Sequence, residues 1–334
     1  MDLNAQPARQ TPISTAKVVT IGTIDGAGIE VLTRRPGLSV QQIHGVRPER
    51  LPELVAEADA LIVRTASISA PVIAAARRLK IVARYGVGYD NIDVGALTAR
   101  RIPLTTVGDA NAVAVAEHAM ALLLAHAKRV VDLDRIMRDG GWSIRNSAST
   151  WELSGRTILL VGLGRVGRAM ARRCLGFDLR VLAVDPAISA EAMAAQGVEK
   201  RETLAEALPE ADIVSLHLPL SGATRGLIDD AAFGRMRRGT VLINTARGGI
   251  VDEAALLRAL ASNRVAAAGL DVFAQEPPAP DDPLLASGRI LLAPHHAGLS
   301  QECVRRMSLA CARNVLDALD GRPDRRFVVN PEVL

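Results

Sequence analysis

Aromatic residues and cysteines are scarce in this chain. Phe, Trp and Tyr make up 2% of its 334 residues, so Val, Leu, Ile and Ala must pack the core, within a hydrophobic content of 49%. That composition favours an α/β protein, and the length suffices for two domains. The three cysteines are odd in number and lack Cys-x-x-Cys spacing, which predicts free buried thiols in a reducing compartment.

Long apolar runs and clusters of basic residues are also missing. No run of about 18 apolar residues occurs, which excludes a membrane-spanning helix. Residues 1–16 are polar and contain proline, so we expect a loose N-terminus, no signal peptide and a cytoplasmic protein. The net charge of +4 is spread along the chain, without a basic nucleic-acid motif or a metal-ligand spacing. We therefore expect no nucleic-acid, membrane or metal partner.

Short apolar segments alternate with helical patterns along the chain, as in parallel βαβ proteins. A first sheet is predicted from Lys17–Gly22, Leu38–Ile43, Ala60–Val63 and Lys80–Ala83. A second is predicted from Thr157–Val161, Arg180–Val184, Ile213–Leu216, Val241–Asn244, Ala267–Asp271 and Ile290–Ala293. An amphipathic helix, 301–320, and a tail, 322–334, follow. We predict one domain of residues 1–107 plus 299–334, a second of residues 108–298, and a ligand cleft between them.

One helical pattern is unusually long, running from Asn111 to Asp139. Thirty residues of helix would measure roughly 45 Å, more than one small domain needs, so part of the segment is available to a second subunit. Trp142 and Trp151 follow it, and they either pack within the chain or mark the same interface. We predict a homodimer that forms through residues 111–150.

Gly162, Gly164 and Gly167 form a Gly-x-Gly-x-x-Gly turn between an apolar strand and a helix. Such glycines allow a tight turn, close approach of a pyrophosphate and close helix–strand packing, although an ordinary glycine turn is the alternative. Asp185 ends the next strand, where a carboxylate binds ribose hydroxyls and repels a 2′-phosphate, so we predict NAD rather than NADP. The predicted cofactor site comprises Gly162, Gly164, Arg165, Val166, Gly167, Asp185, His217, Pro219, Thr224, Thr245 and Ala246.

Polar residues follow other predicted strands: Arg247, Glu276, and the adjacent His295 and His296. An arginine can bind a carboxylate in bidentate fashion, and a glutamate beside a histidine favours the imidazolium that carbonyl reduction needs as its acid. Taken singly, the arginine could be a surface cation, the glutamate a helix-end charge and either histidine a core residue. Together they favour hydride transfer, with the choice between the two histidines open.

Two further sets of residues bear on the site. Successive N–H groups around Gly86 and Gly88 can cradle a carboxylate, although a simple glycine turn is the alternative. His118 and His126 lie in the long helical segment, where a histidine more commonly packs or lines an interface than catalyses.

Several of these motifs, in this order, resemble the D-isomer-specific 2-hydroxyacid dehydrogenases. The similarity covers nearly the whole chain from Lys17. It includes Leu61–Arg64, Gly86–Asp93, Asn111–Ala112 with Val115–His118, the glycine turn, Asn244–Glu253, Asp271–Pro277 and Pro294–His295. The resemblance implies an α/β protein of two parallel-sheet βαβ domains, with a Rossmann NAD-binding domain inserted into a flavodoxin-like substrate domain.

The resemblance also implies roles for individual residues. Arg247, Glu276 and His295 are similar to the family's catalytic trio, which favours His295 over His296. Asp271 is similar to the residue that binds the nicotinamide carboxamide, and Val87 and Gly88 to those that bind the substrate carboxylate. The implied reaction interconverts a D-2-hydroxy acid and its 2-oxo acid, with His295 as acid or base.

The resemblance leaves the acid open. Arg64 and Arg84 follow strands beside the carboxylate loop, and similar arginines in the family's phosphoglycerate dehydrogenases point to 3-phosphoglycerate. We expect the chain, ending at Leu334, to lack the regulatory domain that many of those enzymes append, so glyoxylate or hydroxypyruvate is the rival substrate. The alternative of another class is an NAD(H)-sensing, corepressor-like binding protein of the same fold.

Overall fold

The computed structural model describes residues 16–45 and 47–334. The chain divides into two compact units, one formed by the residues up to Ala110 together with Val304–Leu334, the other by Asn111–Cys303. The predicted loose N-terminus lies almost entirely outside the described residues. The assignment of a substrate-binding role to one domain and a nucleotide-binding role to the other stays a prediction.

The first unit contains a parallel five-stranded sheet in the order β2-β1-β3-β4-β5, which is the flavodoxin-like order. Its strands are β1 (Ala16–Ile21), β2 (Leu38–Ile43), β3 (Ala60–Val63), β4 (Ile81–Arg84) and β5 (Leu104–Thr105). Its helices are α1 (Gly26–Thr33), α2 (Leu51–Val55), α3 (Ala70–Ala75) and α4 (Val94–Ala99). The last helix, α12 (Gln301–Leu319), belongs to this unit from Val304 onward.

The C-terminal segment, predicted as a plain tail, packs against the edge of this sheet. The N–H of Val329 donates to the carbonyl of Leu104 at 2.8 Å, and the N–H of Thr106 donates to the carbonyl of Phe327 at 3.0 Å. The side chain of Asn330, 1% exposed, accepts from the N–H of Leu104 at 2.8 Å. The segment therefore covers the β5 edge, which would otherwise present unpaired backbone groups.

The second unit contains a parallel seven-stranded sheet in the order β12-β11-β10-β9-β6-β7-β8. Its strands are β6 (Thr157–Val161), β7 (Arg180–Val184), β8 (Glu199–Lys200), β9 (Ile213–Leu216), β10 (Thr240–Asn244), β11 (Val265–Leu270) and β12 (Ile290–Leu292). Its helices are α5 (Ala112–Lys128), α6 (Val130–Arg138), α7 (Arg165–Gly176), α8 (Ala190–Ala194), α9 (Leu204–Ala207), α10 (Asp230–Arg235) and α11 (Glu253–Ala261).

The central strand β6 shows why such sheets have nearly continuous apolar strands. Leu159 and Val161 belong to the core on one face, whereas Ile158 and Leu160 belong to the core on the other. Because helices cover both faces, every position along the strand is buried. Two parallel sheets flanked by helices confirm the predicted α/β fold class.

The predicted single helix over residues 111–139 is wrong, because α5 and α6 are separate helices. Arg129 between them adopts the left-handed conformation, with φ of 50°. The apolar pattern continues past it, but Val130 and Val131 are 56% and 58% exposed, so these residues gain no core contacts that would continue α5. None of the helices within residues 16–45 and 47–334 combines the length and the apolar character that a membrane span requires.

Candidate active site

Most of the predicted site residues follow strands of the second sheet, at its carboxyl edge. The glycine turn follows β6, Asp185 follows β7 and His217 follows β9. Further along the same edge, Arg247 follows β10, Asp271 follows β11, and His295 follows β12. Strand order reverses between β6 and β9, and this is the point at which open parallel sheets bind ligands.

The three glycines of the turn have different surroundings. Gly162 has φ of +92°, and a Cβ there would lie 2.5 Å from the carbonyl oxygen of His217. A Cβ at Gly167 would clash with the carbonyl oxygen of Gly162. Gly164, which caps α7, has no described atom within 4 Å of such a Cβ. Packing therefore requires two of the glycines, whereas the third leaves open space beside the helix N-terminus.

Asp185 is held against this turn through its carboxylate. Its Oδ2 accepts from the N–H of Leu163 at 2.8 Å, and its Oδ1 accepts from the N–H of Ala187 at 2.9 Å. Arg165 and Val166 begin α7. The carboxylate thus has a fixed position next to the glycine turn.

Nδ1 of His217 and Oγ1 of Thr245 are buried near this edge, and neither has a hydrogen-bond partner among the described residues. Burial lowers the pKa of His217 to about 4, so its imidazole is neutral at pH 7. Its Nε2 lies 2.9 Å from Oγ of Ser215. Orphaned buried polar atoms are uncommon in native proteins, and a bound ligand is one way to satisfy them.

Pro219 and Thr224 lie in the loop after β9, where Oγ1 of Thr224 donates to the carbonyl of Pro219 at 2.6 Å. These contacts, with the open space at Gly164 and the free helix N-terminus, fit a dinucleotide with its pyrophosphate at the turn. Among the described residues, no group of three His, Cys, Asp or Glu side chains could hold a metal ion.

The Arg247 loop is fixed by a buried asparagine that ends β10. Asn244, 1% exposed, donates from Nδ2 to the carbonyl of Arg247 at 2.9 Å and accepts from the N–H of Ala246 at 3.0 Å. Gly248 is required because a Cβ there would clash with the backbone of Phe273. Sequence reasoning missed this role of Asn244, although a polar residue closing an apolar strand is the signal that could have revealed it.

Glu276 and His295 form a close pair. Nδ1 of the imidazole lies 2.7 Å from Oε2 of Glu276, whose Oε1 accepts from the N–H of Phe273 at 3.1 Å. Partial burial acts to raise the pKa of Glu276, but the hydrogen bond and charge of His295 outweigh it, so the pKa lies below its ordinary value. The carboxylate therefore stays ionised at neutral pH. His295 is 47% exposed, which argues against a core role.

Asp271 lies behind this pair and contacts the histidine loop. Its side chain is 1% exposed, with Oδ1 accepting from the N–H of His296 at 2.7 Å and Oδ2 accepting from the N–H of Ala297 at 2.9 Å. Sequence reasoning did not foresee these contacts. A second missed residue is Glu253, whose Oε1 accepts from the N–H of Ala274 at 2.7 Å, and no local sequence signal could have revealed it.

The remaining candidate residues belong to the first unit. Arg64 follows β3 and Arg84 ends β4, two neighbouring strands in which Val63 pairs with Arg84. Nη1 of Arg64 donates to the carbonyl of Thr23 at 3.1 Å, and the guanidinium of Arg84 donates to the carbonyl of Tyr85.

In the loop after β4, Gly86 has φ of +142°, a conformation that side chains other than glycine rarely adopt. No hydrogen bond within residues 16–45 and 47–334 engages the N–H groups of Val87 and Gly88. Two such amides can together bind an anion.

Comparison with known proteins gives a consistent result. The family model "D-isomer specific 2-hydroxyacid dehydrogenase, NAD binding domain" matches residues 120–297. The chain is 38% identical to a D-3-phosphoglycerate dehydrogenase of Archaeoglobus fulgidus over 95% of its own length, but it spans only 60% of that relative. It is 43% identical to a glyoxylate reductase of Korarchaeum cryptofilum over 84% of this chain and 86% of the relative.

A solved glyoxylate reductase of Paecilomyes thermophila has a similar structure, with a TM-score of 0.85 and 27% identity over 96% of this chain and all (100%) of that one. The chain therefore belongs to the D-isomer-specific 2-hydroxyacid dehydrogenase family.

Proposed function

We propose that this protein is an NAD-dependent enzyme that interconverts a D-2-hydroxy acid and the corresponding 2-oxo acid. The observation that carries the proposal is the 2.7 Å contact between Nδ1 of His295 and the Glu276 carboxylate. That pair follows strands of the same sheet whose glycine turn and Asp185 fit a dinucleotide. An acid–base pair at a dinucleotide-binding edge is the arrangement that carbonyl reduction requires.

In the proposed reduction, a bound nicotinamide would supply the hydride to the carbonyl carbon. His295 in its protonated form donates a proton to the carbonyl oxygen, which becomes the hydroxyl of the product. Glu276 accepts the hydrogen bond from Nδ1, so Nε2 is the nitrogen that exchanges the proton and the imidazole ring keeps one orientation. In the oxidative direction, neutral His295 removes the same proton from the hydroxyl.

We assign the binding of the substrate carboxylate to Arg247, and we propose Val87 and Gly88 as further substrate-binding residues. A guanidinium forms paired hydrogen bonds with a carboxylate, and the buried Asn244 holds the loop that carries it. Orientation of the substrate then contributes to the rate alongside proton transfer.

We assign the cofactor site to the glycine turn with Arg165 and Val166, to Asp185, and to the strand-end residues His217, Pro219, Thr224, Thr245, Ala246 and Asp271. The first amides of α7 would hold the pyrophosphate, and Asp185 would bind the ribose hydroxyls. A 2′-phosphate would meet the same carboxylate at close range. We therefore propose NAD as the cofactor in preference to NADP.

The direct test measures absorbance at 340 nm with NADH and a panel of 2-oxo acids that includes glyoxylate, hydroxypyruvate and phosphohydroxypyruvate. The proposal expects NADH oxidation with at least one of them, and slower oxidation of NADPH. NADH binding without turnover of any acid would contradict the proposed enzymatic activity and favour an NAD(H)-sensing protein.

The substrate class depends on Arg64 and Arg84. If the natural substrate carries a phosphate, Arg64→Ala and Arg84→Ala should each lower kcat/KM for phosphohydroxypyruvate by about 10- to 100-fold while affecting glyoxylate little. Arg50→Ala is the matched control, because Arg50 is an exposed cation of the same unit that pairs with Glu53. Equal losses with both substrates would instead favour an unphosphorylated acid.

We also propose that the protein is a homodimer that forms through residues 111–150. Five large apolar side chains in this segment are exposed: Val113 by 41%, Val130 by 56%, Val131 by 58%, Met137 by 44% and Trp142 by 63%. Exposed apolar side chains concentrated in one segment are typical of a protein interface. Sedimentation of wild-type protein as a dimer, and of Val131→Asp as a monomer, is the expected result.

A further inference from the structure

The backbone of the loop that carries His295 is anchored by Asp271. Three consecutive amides donate to Asp271: His295 to its carbonyl oxygen at 2.8 Å, His296 to Oδ1 at 2.7 Å and Ala297 to Oδ2 at 2.9 Å. His295 has φ of +52°, a left-handed conformation that costs energy for a residue other than glycine. Such a conformation persists only when surrounding contacts enforce it, and these three hydrogen bonds do so.

Asp271 itself lies against one face of α5. Its carboxylate is 1% exposed, and Nε2 of His118 lies 3.6 Å from its Oδ1. A buried carboxyl group needs polar partners, and Asp271 has the two loop amides on one side and His118 on the other. Nε2 of His118 makes no hydrogen bond among the described residues, and at 3.6 Å from Oδ1 it contacts Asp271 at a distance longer than a hydrogen bond.

The same helix face borders the far side of the loop. Asn111 and Val115 approach Gly298, since a Cβ at that glycine would lie 4.0 Å from a side-chain atom of each. Positions 111, 115 and 118 follow the spacing of one helical face. The first turns of α5 therefore contact both Asp271 and the end of the loop.

We propose that His118 is a positioning residue that acts through Asp271 on His295. The imidazole of His118 holds the Asp271 carboxylate, the carboxylate holds the amides of residues 296 and 297, and those amides fix the direction of the His295 side chain. The part of this inference that concerns catalysis rests on the proposed function. The part that concerns the loop backbone does not.

The backbone is tested by hydrogen–deuterium exchange followed by mass spectrometry on peptides that cover residues 293–300. In wild-type protein the amides of His296 and Ala297 should be protected, and His118→Ala should accelerate their exchange at least about tenfold, because the loop opens locally without global unfolding. His118→Met is a second apolar variant if the first does not fold. Unchanged exchange in a folded apolar variant would overturn the proposal.

His126 provides the matched control on the same helix. Its Nε2 bonds to the carbonyl of Ala268 within β11 at 2.7 Å, and among the described residues no hydrogen bond or ion pair joins it to residues 295–297. His126→Ala should lower the melting temperature without changing exchange at residues 296 and 297. If both variants accelerated exchange equally, the effect would belong to the packing of α5, and the proposal would be wrong.

Kinetics then separate positioning from a general structural defect. His118→Ala should lower kcat by about 10- to 100-fold, since a small displacement of a catalytic group has a cost of this size, with KM for the 2-oxo acid nearly unchanged. His118→Gln places an amide N–H near the position of Nε2 and should restore most of kcat and the amide protection. Failure of the glutamine to restore either would contradict the role of His118, whereas absence of wild-type turnover would contradict the proposed function alone.

Discussion

The glycine turn after β6 and the His295 loop after β12 lie at the same edge of one sheet but are built differently. In the turn, the contacts that fix the backbone lie mostly within one strand–helix–strand unit, residues 162–187, with the His217 carbonyl as the exception. In the loop, His295 depends on Glu276, on Asp271 and, through it, on α5. Hence one part of the site is local and the other is assembled by the fold.

This difference separates two kinds of function. A turn that binds phosphate needs only exposed backbone amides and space, which glycines supply in any surrounding sheet. An acid–base residue needs a defined side-chain direction, which requires support from outside its own segment. The proposed cofactor and catalytic functions should therefore respond differently to substitution.

The largest effect is expected in the His295 loop. His295→Ala should lower kcat by about 100- to 10,000-fold, because it removes the only proposed proton donor, while the dissociation constant for NADH stays within about twofold. Stopped-flow absorbance and NADH fluorescence measure the two quantities. His296→Ala is the matched control and should keep most activity, since that residue contributes its backbone N–H to the loop. Retained activity in His295→Ala would contradict the assignment of His295 as the proton donor.

Within the turn, substitution of two glycines by alanine should have different effects, one on stability and one on NADH binding. Gly167→Ala forces a Cβ against the Gly162 carbonyl and should cost about 1–3 kcal/mol of unfolding free energy. Gly164→Ala meets no described atom, so stability should hold while NADH binding weakens about tenfold, or about 1.4 kcal/mol. Chemical denaturation and fluorescence titration provide the measurements. Normal NADH affinity in folded Gly164→Ala would show that the open space is not the pyrophosphate site.

The features that depend on residues within one segment could be predicted from the sequence. Apolar segments, their alternation with helices and the glycine spacing depend on residues within one segment, and the confirmed α/β class follows from them. The positions of Arg247 and His295 after strands could likewise be placed at a sheet edge.

Contacts between distant segments could not be read in this way. The anchoring of the His295 loop by Asp271, and of Ala274 by Glu253, depends on which atoms the fold brings together. The break at Arg129 was missed because the apolar pattern continues past it, although no core is there to receive it. The packing of residues 327–330 on β5 was also missed, because it joins two segments that are far apart in the sequence.

A smaller effect is expected at Asp185, which belongs to the local part of the site. Asp185→Asn keeps the size of the side chain but removes its charge and one of its two acceptor oxygens, so kcat/KM with NADPH should rise about tenfold relative to NADH, equivalent to about 1.4 kcal/mol. Asp178→Asn removes the same charge at the opposite end of β7 and is the control. If the two variants changed cofactor preference equally, net charge rather than the Asp185 carboxylate would set it.

The smallest effect is a pH dependence that only the assembled part of the site should show. The pKa of Glu276 is lower when folded than when unfolded, so its contribution to stability is present above the unfolded pKa and is lost as pH falls through the folded value. The free energy of unfolding of the wild type should therefore exceed that of Glu276→Gln at pH 7, and the gap should close below about pH 4. Urea denaturation of both proteins from pH 7 to pH 3.5 measures this difference. If the difference in unfolding free energy stayed constant across this pH range, Glu276 would stabilise the protein through packing rather than through its charge. The His295 loop would then not differ from the glycine turn in its electrostatics.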